Sequence, residues 1–64
     1  MAIQREVEKQ EFDTVIASLL DEPKTQYEGG GNWVLSIYFN DDKDPVAIKA
    51  FNISQNQTKY KLIE

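Results

Sequence analysis

Trp33-Val34-Leu35-Ser36-Ile37-Tyr38-Phe39 is rich in β-branched and aromatic residues and reads as a β-strand. The polar run Asn40-Asp41-Asp42-Lys43-Asp44-Pro45 follows as a turn, and a second strand is expected at about Val46–Ile53. Ser54–Gln57 makes another turn before a third strand at Thr58–Ile63. Loops this short favour a sequential antiparallel meander.

Upstream, Phe12, Val15, Ile16, Leu19 and Leu20 recur at helical spacing and form one apolar stripe. Pro23 turns Glu22 away from α geometry, so the helix is expected to end near Asp21 or Glu22. Its start is placed between Arg5 and Gln10, where Glu6, Glu8 and Glu11 suit the positive end of the helix dipole. Ile3 and Val7 fall off the stripe. Residues 2–8 therefore read either as a short extra strand or as a helical extension with a second apolar patch. Pro23–Asn32, with Gly29-Gly30-Gly31, reads as a flexible connector. The expected fold is α+β: one domain over residues 1–64, an N-terminal helix packed on a three-stranded antiparallel meander.

Alternation assigns the faces. Trp33, Leu35, Ile37 and Phe39, with Val46, Ile48 and Ala50 and with Tyr60 and Leu62, are expected to face the helix and make the core. The opposite face then carries Tyr38, Lys49, Phe51, Lys59 and Lys61. A bulge within Ala50–Ile53 would exchange the assignments beyond it.

Sixty-four residues bury a thin core, and small domains compensate with disulfides, metals or self-association. The chain has no Cys and no His, which removes disulfides, thiolate and imidazole ligands, and the usual proton shuttle at neutral pH. A homodimer is the remaining staple, with the basic sheet face or Ile3 and Val7 as its seam. The net charge of −4 disfavours non-specific binding to phosphate backbones. No apolar run reaches the roughly 20 residues that span a bilayer, and the first residues lack the pattern of a signal peptide. A cytoplasmic protein with no membrane association is expected.

The motifs are weak. Asn40, Asp42 and Asp44 alternate as in a calcium loop, but Pro45 stands where Gly is needed and Phe51 where the closing Glu belongs. The three glycines are followed by no Lys-Ser or Lys-Thr and open no helix, so they are not a phosphate loop. Asn52-Ile53-Ser54 and Asn56-Gln57-Thr58 match the glycosylation pattern only by type. Hydroxyl nucleophiles have no base beside them. Neither catalysis nor a cofactor is expected.

What remains is binding. The first expectation is a non-enzymatic module that inhibits or adapts a larger protein, with contacts from Tyr27, Trp33, Asp41, Asp42 and Asp44. The second is a single-stranded nucleic-acid platform in which bases stack on Tyr38 and Phe51 while Lys49, Lys59 and Lys61 neutralise phosphates.

Overall fold

A computed structural model describes residues 3–64 of the chain; Met1 and Ala2 lie outside the described residues. Among them the chain forms strands β1 (Gln4–Val7), β2 (Lys24–Glu28), β3 (Trp33–Phe39), β4 (Pro45–Asn52) and β5 (Gln57–Ile63), with one helix, α1 (Lys9–Ile16). A single 3-10 turn at Gly29–Gly31 joins β2 to β3. The sheet runs β1-β5-β4-β3-β2, antiparallel throughout. The architecture is α+β with an antiparallel sheet, and the meander β3-β4-β5 stands where alternation places it.

Two strands extend it. The segment before the helix resolves as a strand that closes on the C-terminal β5, held at its end by reciprocal backbone bonds between Ile3 and Glu64, each 2.8 Å. The connector expected over Pro23–Asn32 contains β2 instead. Lys24-Thr25-Gln26-Tyr27-Glu28 is exposed along its whole length. It owes its extended form to the ladder with β3 rather than to apolar alternation, so periodicity does not mark it. The three glycines all take positive φ, between 60° and 91°, where a side chain would be strained.

The helix is shorter than its apolar stripe. It ends at Ile16, where the Ser18 hydroxyl donates to the Val15 carbonyl at 3.1 Å and Leu19 N–H closes a tighter turn onto Ile16. Ser competes for helix carbonyls in this way, and Asp21 and Glu22 oppose the dipole beyond it. Leu20 is left 87% exposed.

Phe12 anchors the core. It is 1% exposed, seated over Ala47 at 0%, beside Leu62. Its ring lies 5.5 Å from Tyr38, edge-on, and 5.0 Å from Tyr60. Val7, Val15, Ile16 and Val46 pack around this cluster. The small Ala47 side chain leaves the space that the ring fills; truncating a ring so enclosed costs about 3–5 kcal/mol.

These contacts correct the expected faces. Tyr60 and Leu62 do meet the helix, with Lys59 and Lys61 on the other side. The helix, however, lies on the face of Tyr38 and Ala47, not on that of Trp33, Leu35, Ile37, Ile48 and Ala50. The register explains the inversion. Asn52 pairs with Gln57, so Ala50 opposes Lys59 and Ile48 opposes Lys61. A hairpin loop with an even number of residues always sets even-numbered positions against odd-numbered ones, and opposed residues share a face. The irregularity falls between Tyr38 and Phe39, opposite Pro45 and Ala47, rather than within Ala50–Ile53. It turns Val46 towards the helix side.

Candidate functional site

One face of the sheet is left uncovered by the helix. Eight helical residues extend about 12 Å, whereas five strands span about 19 Å between the outer two. Helix α1 packs over β4 and β5 on one side only. On the other side the pairings form parallel rows. Glu6, Lys61, Ile48, Ile37 and Lys24 make the first, and Lys59, Ala50, Leu35 and Gln26 the second. Gln57, Asn52, Trp33 and Glu28 make the third. The centre is an apolar strip of Trp33, Leu35, Ile37, Ile48 and Ala50, with Lys59 and Lys61 along one flank. Gln26 and Glu28 line the other flank of a shallow concavity.

Trp33 sits at one end of this strip. The Lys59 ammonium lies 5.9 Å from its ring centre, within cation–π range. Below it the chain passes so closely that a Cβ on Gly29 would stand 3.1 Å from Trp33 Cδ1. The positive φ of 60° at Gly29 and the missing side chain together seat the indole. At the far end Lys24 covers Phe39, 5.4 Å from its ring centre.

The residues singled out for a nucleic-acid platform are divided by this geometry. Tyr38, Lys49 and Phe51 share the helix side of the sheet, where Tyr38 is packed on Phe12. Lys49 and Phe51 border a second shallow hollow with Val34, Ser36, Ile53 and Thr58. Lys59 and Lys61 lie on the open face with Trp33. The expected basic-aromatic face is therefore not one surface, because the parity that brings Lys59 and Lys61 to Trp33 takes them from Lys49.

The residues singled out for a protein partner are also separated. Tyr27 is 68% exposed on edge strand β2, with its side chain on the helix side, opposite Val34. Trp33 is on the open face. Asp41, Asp42 and Asp44 lie in the β3–β4 turn, at the other end of a seven-residue strand and so roughly 20 Å from Trp33. In that turn the Asn40 side-chain oxygen accepts from the Asp42 and Asp44 N–H groups, each at 3.0 Å. Asn40 thus organises the backbone of the turn, and Lys43 adopts a φ of 69° within it.

The remaining charges are largely committed. Arg5 Nη2 binds Glu11 at 2.7 Å and Glu64 at 2.8 Å, joining β1, the helix and the C-terminal residue. The hydrogen bonds that Arg5 donates to these two carboxylates raise its pKa above the ordinary value. Lys9 pairs with Asp13 one helical turn on, which raises the Lys9 pKa in the same way. Val7 belongs to the Phe12 cluster, whereas Ile3, just before β1, is 67% exposed. Among the described residues no cluster of three or more carboxylates is placed to hold a metal ion, and no helix is long and apolar enough to cross a membrane.

Leu35, Ile37, Ile48 and Ala50 are expected in the helix-facing core; they lie on the opposite face instead, where Leu35, Ile37 and Ile48 are half-buried and the small Ala50 is buried between its neighbours. Comparison of the chain with models of known families, with curated proteins and with solved structures finds no match.

Proposed function

We propose that this chain is a non-enzymatic interaction module, an inhibitor or adaptor, that docks a larger protein partner on the uncovered sheet face. The observation that carries this reading is the apolar strip Trp33, Leu35, Ile37 and Ile48 left outside the helix-covered core. A domain of this size has little apolar surface to spare for its own stability. Contiguous apolar patches on small proteins mark contact surfaces. The partner that fits presents an apolar ridge with carboxylates beside it, set to meet Lys59 and Lys61. Those two lysines flank the strip and would speed encounter with such a surface. Trp33 supplies a rigid aromatic anchor of the kind that concentrates binding energy.

Single-stranded nucleic acid is the second reading, favoured by Lys59 and Lys61 beside Trp33. It is the weaker one. Stacking platforms present successive aromatic rings, whereas this strip offers one indole, and Lys59 already lies over it.

The test uses the full chain as bait in extract from its native host, with and without nuclease. Leu35→Asp and the charge reversal of Asp41 and Asp42 serve as controls, each checked for fold by circular dichroism. A protein retained after nuclease, lost with Leu35→Asp and kept with the turn reversal, supports docking on the sheet face. Retention by Leu35→Asp, or loss on nuclease treatment alone, contradicts it.

A further inference from the structure

The outer edge of β2 carries a self-complementary sequence. The Ile53 N–H donates to the Asn32 carbonyl at 2.8 Å. Trp33 and Asn52 are therefore a non-hydrogen-bonded pair, and the pattern alternates along β3. Pro45, which has no N–H, sits opposite Phe39 at a position where none is needed. It follows that Trp33, Leu35 and Ile37 turn their backbone groups towards β2, where they meet Glu28, Gln26 and Lys24. Thr25 and Tyr27 turn their N–H and C=O groups away from the sheet, and β2 is the last strand in the order.

We propose that β2 pairs antiparallel with β2 of a second copy, about a two-fold axis through Gln26, to form a continuous ten-stranded sheet. The alternation of backbone groups admits only registers that set outward residue against outward residue, and this one gives the fullest overlap. Thr25 and Tyr27 exchange backbone hydrogen bonds with Tyr27 and Thr25 of the second copy. Lys24 then stands opposite Glu28 at both ends, as a non-hydrogen-bonded pair in which side chains approach most closely. Glu28 now accepts a hydrogen bond from the Gln26 amide at 3.3 Å, an exposed contact that leaves the carboxylate able to take the lysine. The ring of Tyr27 gains Thr25 of the other copy as its cross-strand neighbour, an aromatic and β-branched pair.

The opposite edge lacks these properties. Strand β1 has four residues. Pairing it with itself about Arg5 or about Glu6 sets like charges against each other. The two edges therefore differ: β2 meets a copy of itself with opposite charges paired at both ends, whereas β1 has no register that does so. Two copies joined at β2 would keep their apolar strips on one side, so self-association is compatible with docking on the sheet face but does not depend on it.

Sedimentation equilibrium on the full chain between about 20 µM and about 1 mM tests this without any partner. The expected result is a 7.4 kDa species giving way to twice that mass as concentration rises. Lys24→Glu or Glu28→Lys alone creates two like-charge pairs and should weaken association about tenfold. The double exchange K24E/E28K recreates the complementarity and should restore it. Thr25→Pro removes an outward N–H while leaving the ladder to β3 intact, so it should abolish association with an unchanged circular dichroism spectrum. A chain that stays at 7.4 kDa throughout overturns the proposal. So do single reversals that associate like the parent, or a double exchange that fails to recover.

Discussion

Gly29 shows how much of the surface depends on one absent methyl group. Its φ of 60° and the 3.1 Å approach to Trp33 Cδ1 both act against any side chain. Gly30 has a similar φ, 69°, but open space around it. The pair separates backbone strain from contact. Gly30→Ala should cost about 1 kcal/mol, the penalty of a left-handed residue. Gly29→Ala should cost more and also displace the indole. Urea unfolding followed by tryptophan emission reads both quantities, because Trp33 is the one tryptophan in the sequence. An emission maximum unchanged in Gly29→Ala would contradict the seating described for Trp33. Phe12 belongs beside Gly29 as a residue whose role follows from its neighbours: its position in the helical stripe is readable, but the vacancy above Ala47 that receives it is not.

Elements were legible in proportion to their apolar content. Strands β3, β4 and β5 emerge from alternation within one or two residues of their observed bounds. Strand β2 does not, because a wholly exposed edge strand has no apolar period to detect. The helix was placed by its stripe but overextended, since Leu19 and Leu20 continue the spacing after Ser18 has broken the backbone pattern. If α1 ends at Ile16, Leu20→Glu should change stability by no more than about 0.5 kcal/mol in chemical unfolding, as for any exposed site. A loss of about 2 kcal/mol or more would place Leu20 in a buried contact. The face of the sheet differs from the one alternation within single strands suggests, although loop length determines it. The turn between β4 and β5 was already visible as four residues, and an even loop fixes that Lys59 and Lys61 accompany Ile48 and Ala50.

Across the whole molecule, one short helix divides the sheet into unequal sides. The side over Phe12 holds the core cluster, with Arg5 tying Glu11 and Glu64 together at its margin. The other side joins an apolar strip to Lys59 and Lys61 in a chain whose net charge is −4, with Glu6 and Glu28 at the margins of the same face. The proposed docking rests on the face of this sheet and the proposed pairing along β2 on its edge. Their outcomes are separable, because association of the chain with itself needs no partner and docking needs no dimer.

Aromatic-to-methyl nuclear Overhauser effects from the Phe12 ring bear on that partition most directly. Cross-peaks from Phe12 to the methyl groups of Ala47 and Leu62, with none to Leu35, Ile37 or Ile48, are the predicted result. Cross-peaks joining Phe12 to Leu35, Ile37 or Ile48 would put the helix on the other side of the sheet and remove the surface on which the proposed function rests.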